Sequence, residues 1–287
     1  MSGATRELPA VTTPDGRRLA VCETGPVGAP IAALYLHGTG GSRLEVGACA
    51  AAAQDAGVRL VAWDRPSHGG SARQIGRALL DVVPDLAAVA AEVGVARPAV
   101  LGLSGGGTHV VAIAATAPEL IRRAVAINPG PPSDDAMIAA LPKQMSGMLR
   151  MARTKPARFR RVAGILQSRN RVMLAIAKRQ LDPLDRAIVF ESPLRPIFEA
   201  SAREGQVTKG AWVEEAAMLW GAPWPFEIGG FAVPFDVFSG EADPFRPFAQ
   251  RLQAAGAAFH SFPGGHLSGF APNAQTAILG LLTEPGA

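Results

Sequence analysis

Gly102-Leu103-Ser104-Gly105-Gly106 sets a serine at the centre of a Gly-x-Ser-x-Gly pentapeptide. It follows the apolar run Ala99-Val100-Leu101 and precedes the helix-like stretch Thr108-His109-Val110-Val111-Ala112-Ile113-Ala114. A chain that turns from strand to helix in so few residues strains the serine backbone, and side chains at the flanking positions would strike neighbouring elements. Gly102 and Gly106 remove that collision. The spacing predicts a nucleophile elbow with Ser104 at its apex. The N–H of Gly105 then opens a helix, where unpaired donors and the helix dipole favour a developing oxyanion. The plainer alternative is a glycine-rich loop that only brings a helix close to a strand; the flanking strand and helix favour the elbow.

A serine hydroxyl is a weak nucleophile near neutral pH, so it needs a histidine base and an acid to orient that base. The chain has five histidines. His37 ends an apolar run, His68 lies in a Gly/Pro/Ser loop, His109 falls in the helix after the serine, and His260 sits in a strand-like segment. His266 lies in Pro263-Gly264-Gly265-His266-Leu267-Ser268-Gly269, between that strand and a C-terminal apolar helix. This loop position lets its ring reach over the sheet top, and His266 is read as the base. The acid is expected in Val233-Pro234-Phe235-Asp236-Val237-Phe238-Ser239-Gly240-Glu241-Ala242-Asp243-Pro244, a β-rich run followed by a turn. Asp243 is preferred because Pro244 fixes the backbone after it, with Glu241 the rival; either could be a solvated loop acid.

In order along the chain, His37-Gly38-Thr39-Gly40-Gly41-Ser42-Arg43, Trp63-Asp64-Arg65-Pro66-Ser67-His68-Gly69-Gly70-Ser71, the elbow, Gly240-Glu241-Ala242-Asp243-Pro244 and Gly265-His266 resemble the motif series of α/β-hydrolase fold enzymes. The resemblance is to the cap-bearing esterase, lactonase and C–C-bond hydrolase branches, and it covers all but about the middle third of the chain, where only architecture matches. It implies Ser104, Asp243 and His266 as a catalytic triad. It also implies that the N–H of Thr39, after His-Gly, joins that of Gly105 as the oxyanion hole. In the family the Asp64-Arg65-Pro66 turn is structural, so Asp64 and His68 are not taken as a second catalytic pair. Ser67 stands where a glycine is usual, which sets the local turn conformation apart.

With 287 residues, 48% of them apolar, the chain can bury a large core. Short β-rich runs at Arg18–Cys22, Ala33–Leu36, Arg59–Trp63, Ala99–Leu101 and Ala124–Ile127, and again near residues 235 and 259, alternate with helix-like stretches. This predicts an α/β fold, with a mainly parallel, doubly wound sheet covered on both faces. Pro14-Asp15-Gly16 predicts an antiparallel hairpin at the N-terminal edge. After Asn128-Pro129-Gly130-Pro131-Pro132 the strand pattern stops, and helix-favouring residues run to Trp220-Gly221-Ala222-Pro223-Trp224-Pro225. The expected organisation is a hydrolase-like core over residues 1–132 and 225–287, with a helical cap over 133–224. Met137, Met145, Met148, Met151, Trp212, Met218 and Trp220 are candidates for the inner face of that cap, or for its own packing.

Cys22 and Cys49 sit in apolar contexts and read as buried small hydrophobes. No metal-ligand spacing is present, and the reading needs no cofactor or metal. No apolar segment is long enough to span a membrane, and the N-terminus lacks a signal-type apolar region, so a cytoplasmic location is expected. The chain carries a formal charge of +4. No acid occurs between Asp135 and Asp182, whereas Lys143, Arg150, Arg153, Lys155, Arg158, Arg160, Arg161, Arg169, Arg171, Lys178 and Arg179 do. A solvated helix face explains such a run; steering of an anionic small-molecule substrate or an acidic partner surface is the alternative. Nucleic acid is disfavoured because aromatic residues do not interleave with the charges.

The expected chemistry is hydrolysis of an ester, lactone or related carbonyl through an acyl-enzyme. Cleavage of a C–C bond by the same triad is an alternative within the class. A ligand-binding protein of the same fold with a slow triad is the alternative outside it. A serine at the apex argues against relatives whose covalent intermediate needs a carboxylate nucleophile.

Overall fold

In the computed structural model, which describes residues 5–168 and 181–284, the Pro14-Asp15-Gly16 turn joins two antiparallel strands, β1 (Arg6–Thr12) and β2 (Arg18–Thr24). Gly16 adopts φ 84°, a conformation in which a Cβ is costly, and donates its N–H to the Thr13 carbonyl at 2.9 Å. The sequence pattern does not delimit β1. Only Val11 of this strand is buried, so its apolar signal is weak.

Six further strands follow: β3 (Ile31–Leu36), β4 (Val58–Trp63), β5 (Ala99–Leu103), β6 (Arg123–Ile127), β7 (Phe235–Gly240) and β8 (Ala258–Phe262). They complete one eight-stranded sheet in the order β1-β2-β4-β3-β5-β6-β7-β8. β2 pairs antiparallel with β4, and every pairing from β4 to β8 is parallel. The sheet is the expected α/β architecture. Its central strands have no polar alternation because both faces are covered. β3 sends Leu34 and Leu36 into one core, and Ala33 and Tyr35 into a second core on the opposite face.

Helices α1 (Ala50–Ala56), α2 (Val82–Glu92) and α3 (Gly105–Thr116) lie in the first part of the chain. Val82, Leu86 and Val89 of α2 join Val110, Val111 and Ile113 of α3 in the core that holds Leu34 and Leu36. Between β6 and β7 the described residues form α4 (Asp135–Ala140), α5 (Lys143–Thr154), α6 (Pro156–Ser168), α7 (Pro183–Arg186), α8 (Arg195–Gly205) and α9 (Ala211–Trp220). The chain then returns to the sheet with α10 (Arg246–Ala254) and α11 (Pro272–Thr283). Phe248 and Leu252 of α10 join the core of α2 and α3, while Ala274, Ile278 and Leu282 of α11 cover the opposite face with Ala53 of α1.

The inserted helices have a small core of their own. Ala152, Phe159, Ala163, Val213 and Ala216 are buried together, with Met148, Met151, Trp212 and Trp220 against them. Lys143, Arg150, Lys155, Arg158, Arg160 and Arg161 point outward from this part of the insertion, whereas Arg153 bonds the Ser133 carbonyl at 2.8 Å and Asp135 at 2.5 Å. Arg169, Arg171, Lys178 and Arg179 of the basic run lie outside the described residues. Cys22 and Cys49 are buried free thiols. Among the described residues no helix is long and apolar enough to cross a membrane, and no group of histidine, cysteine and acidic side chains could hold a metal ion.

Candidate active site

Ser104 follows β5 and precedes α3 at φ 55°, ψ −119°. Such a backbone costs about 1–3 kcal/mol and persists only where the surroundings impose it. Here they do. The Ser104 N–H donates to the Ile127 carbonyl at 2.9 Å, and the Ser104 carbonyl accepts from Thr108 N–H at 3.0 Å. A Cβ on Gly102 would lie 2.6 Å from the Gly106 backbone, and one on Gly106 would lie 2.0 Å from the Leu36 carbonyl oxygen. The two glycines are therefore demanded by the close approach of β3, β5 and α3.

His266 and Asp243 come together from loops that follow β8 and β7. Nδ1 of His266 donates to Asp243 Oδ1 at 2.8 Å. The Asp243 side chain is fully buried, whereas a quarter of the His266 side chain is exposed. Burial disfavours the charged ring, but the adjacent Asp243 carboxylate, helped by Asp185 and Glu45, outweighs it and raises the His266 pKa above its usual 6.5. Phe245 meets the imidazole edge to face with centroids 5.3 Å apart. Among the described residues no hydrogen bond joins Ser104 Oγ to His266. Glu241, the rival acid, is exposed.

The His37–Arg43 segment lies beside the elbow. A Cβ on Gly38 would stand 3.8 Å from Ser104 Cβ, and one on Gly105 only 2.0 Å from Thr39 Oγ1. Gly105 is the first residue of α3, so its N–H has no intrahelical acceptor. Among the described residues no acceptor meets the N–H of Thr39 either. The loop is braced by Glu45, a buried carboxyl whose Oε1 accepts from Tyr35 Oη at 2.7 Å and from Gly38 N–H at 2.8 Å. Burial drives the Glu45 pKa upward against these two bonds. Trp212 of α9 roofs the loop, close enough that a Cβ on Gly40 would lie 2.9 Å from its ring.

Two residues outside the sequence reading organise this arrangement. Asn128, fully buried just after β6 with φ 44°, accepts from Gly240 N–H at 2.9 Å and donates to the His266 carbonyl at 2.8 Å. It thereby ties the end of β7, ahead of Asp243, to the loop carrying His266. Asp185 of α7 accepts from Gly265 N–H at 3.1 Å, one residue before the histidine. In sequence, Asn128 before Pro129-Gly130 reads only as a hinge, and Asp185 carries no motif.

The remaining histidines and Asp64 are engaged in packing and hydrogen bonds away from Ser104 Oγ. Asp64 is buried and accepts from Arg43 N–H and Gly70 N–H, at 2.6 and 2.9 Å, and from the Arg43 guanidinium at 2.6 Å. Ser67 adopts φ 71°, which explains why a glycine suits that position. His260 stacks on Phe238 and bonds Asp236 at 2.9 Å. His37, His68 and His109 are buried, and desolvation holds all three below the usual imidazole range. Of the inner-face candidates, Trp212 reaches the loop beside Ser104. Met148, Met151 and Trp220 pack within the insertion, Met145 packs near Phe245, Met218 near Leu79, and Met137 in the main core.

Residues 33–278 match the sequence profile described as the alpha/beta hydrolase family. The chain belongs to that family. No curated protein is recognisably similar in sequence. Among solved structures, the enol-lactonase from Burkholderia xenovorans LB400 is 20% identical with a TM-score of 0.69, covering 96% of this chain and 100% of that one. A malate-bound thermophilic esterase from Thermogutta terrifontis is 20% identical with a TM-score of 0.70, covering 96% of this chain and 98% of the other. The proline iminopeptidase of Mycobacterium smegmatis is 19% identical with a TM-score of 0.67, covering 96% and 97%. At such identities these likenesses establish the α/β-hydrolase fold and leave the substrate open.

Proposed function

We propose that the protein is a serine hydrolase that cleaves an ester, lactone or related carbonyl compound through an acyl-enzyme. The observation that carries the reading is the 2.8 Å contact between His266 Nδ1 and the buried Asp243 carboxylate, at the same carboxyl end of the parallel strands as a serine held at φ 55°. Asp243 fixes the tautomer that leaves Nε2 free to accept a proton, and it stabilises the imidazolium that results. Ser104 Oγ attacks the substrate carbonyl as its proton passes to His266. The N–H groups of Thr39 and Gly105 receive the oxyanion, and His266 returns the proton to the leaving group. Water then attacks the acyl-enzyme by the same steps, releasing the acid and restoring Ser104.

In this reading residues 133–224 act as a cap. Trp212 and its helix cover the oxyanion loop, which would limit water at the reacting carbonyl and shape the acyl pocket. The family likeness to a lactonase and an esterase points the same way. The test is a set of p-nitrophenyl esters of graded acyl length run beside a set of lactones, followed in the first milliseconds. A burst of p-nitrophenol equal to the enzyme concentration, followed by slower turnover, is the expected result for an acyl-enzyme. No turnover of either set, with no burst, would sink the reading.

A further inference from the structure

Glu215 projects from the inserted helix α9 into the core and is almost wholly buried there, with its side chain 2% exposed. A buried carboxylate survives only where charges and donors surround it. Arg65, fully buried just after β4, grips it in a bidentate pair, Nε to Oε1 at 2.6 Å and Nη2 to Oε2 at 2.9 Å. Arg77 places Nη1 3.6 Å from Oε1, and His68 places Nε2 3.5 Å from Oε2. The two guanidinium groups, Arg65 foremost, hold Glu215 ionised despite its burial, with a pKa well below the usual carboxylate range.

The two arginines each lead to one side of the oxyanion hole. On the first side, Arg65 Nη1 donates to the His37 carbonyl, its Nη2 lies 3.5 Å from the Gly38 carbonyl, and its backbone N–H donates to His37 Nε2 at 3.2 Å. That last bond requires the proton of His37 to sit on Nδ1, which donates to the Gly38 carbonyl at 2.8 Å. The Gly38 carbonyl and the Thr39 N–H belong to one peptide group. A donor on that oxygen fixes the plane of the peptide and polarises its N–H. On the second side, Arg77 Nη2 meets His109 Nε2 at 3.2 Å, which likewise leaves the proton on Nδ1, donating to the Gly105 carbonyl at 2.7 Å. Gly105, whose N–H is the other proposed oxyanion donor, is thus held through its own carbonyl.

We propose that Glu215, a residue of the insertion, is a positioning residue for the oxyanion hole, holding Arg65 and Arg77 so that their histidine arms fix the Gly38–Thr39 peptide and Gly105. The inference rests on the serine hydrolase reading above. It makes seating of α9 and assembly of the oxyanion hole a single event. The same helix carries Trp212 over Gly40 and Leu219 beside Gly105, so α9 cannot lift without withdrawing the carboxylate from both arginines.

The test is Glu215→Gln, which keeps the shape and removes the charge. kcat is expected to fall about 10- to 100-fold, less than or comparable to the loss of a whole oxyanion donor, with KM for a short p-nitrophenyl ester within about twofold of wild type. The Ki of an aryl trifluoromethyl ketone, whose tetrahedral adduct places an oxyanion in the hole, should rise in parallel with the fall in kcat. A role confined to stability would lower the melting temperature and leave the kcat and Ki of the folded protein unchanged, and that result overturns the proposal. If Glu215→Gln does not fold, Arg65→Met with Glu215→Leu removes both charges of the close pair while keeping the volume filled. This variant should show the same loss of kcat and of ketone affinity, and wild-type values in it also overturn the proposal. Glu214→Gln, on the same helix but paired with Arg73 at the surface, should leave both quantities unchanged; an equal loss there overturns the assignment to Glu215. A wild-type protein inert to esters, lactones and the ketone removes the function and this proposal together. An active wild type with an unaffected Glu215→Gln removes this proposal alone.

Discussion

The carboxamide of Asn128 donates to the backbone carbonyl of His266 at 2.8 Å while its oxygen accepts the N–H of Gly240 at 2.9 Å. The partners dictate the orientation of the amide, since a backbone N–H can be met only by the oxygen. Asn128→Asp would place a second acceptor against the His266 carbonyl. Leaving buried groups unpaired costs about 1–3 kcal/mol each. Urea unfolding should register a loss of that size, and kcat/KM should fall with it because the two loops lose their common tie. Wild-type stability and rate in Asn128→Asp would show that the loops are held by other means.

Asp243 and Glu241 lie two residues apart on one loop, and only Asp243 is buried against His266. Asp243→Asn is expected to lower kcat by up to about ten-thousandfold, because an amide at that place favours the wrong imidazole tautomer. Glu241→Gln should stay within about twofold of wild type. The two rates measured side by side decide the acid, and a larger loss in Glu241→Gln would reassign it.

The raised pKa of His266 fixes the direction of the pH profile. A general base must be neutral, and its negative neighbours stabilise the imidazolium. The acid limb of kcat/KM should therefore have its midpoint above pH 6.5. Asp185 contributes to that rise, so Asp185→Asn should move the midpoint to lower pH while its side-chain oxygen still accepts the Gly265 N–H. A limb that stays in place, or moves to higher pH, would exclude Asp185 from the field at the histidine.

The two glycines after Ser104 should separate folding from activity. A Cβ at Gly106 meets the Leu36 carbonyl at 2.0 Å, and that backbone belongs to a central strand. Gly106→Ala should thus destabilise the whole domain by about 1–3 kcal/mol or more, on the scale of severe core overpacking. At Gly105 the obstacle is the Thr39 side chain, which can rotate. Gly105→Ala should fold, and should lose activity because the displaced Thr39 disturbs the proposed second oxyanion donor. Thermal melts with ester kinetics on both variants test the pair, and a stable Gly106→Ala would contradict the packing argument.

The elbow and the sheet are legible in sequence because their signals are local. Gly102, Ser104 and Gly106 act within one turn, and buried central strands announce themselves as unbroken apolar runs. The placement of β4 between β2 and β3 is a crossover that no local pattern encodes. Residue type alone leaves Asp243 and Glu241 as alternatives; only in the fold does Asp243 lie buried against His266 while Glu241 is exposed. Glu45, Asn128, Asp185 and Glu215 escape a sequence reading for a different reason: each acts through partners brought near only by folding. Arg65 and Glu215 are 150 residues apart in the chain. The run of cations is conspicuous in sequence, and its described members other than Arg153 point to solvent. A charge run shows its composition locally, but what it faces is set by the fold.

The most direct measurement is covalent labelling by a fluorophosphonate, with the modified peptide located by mass spectrometry. A single adduct on Ser104 is expected in the wild-type protein, forming more slowly as pH falls through the pKa of His266. The Ser104→Ala protein should remain folded, take no label, and lose ester or lactone hydrolysis by about a thousandfold to a millionfold. Undiminished hydrolysis by purified Ser104→Ala, or a label carried on another residue, would contradict the assignment of Ser104 as the nucleophile.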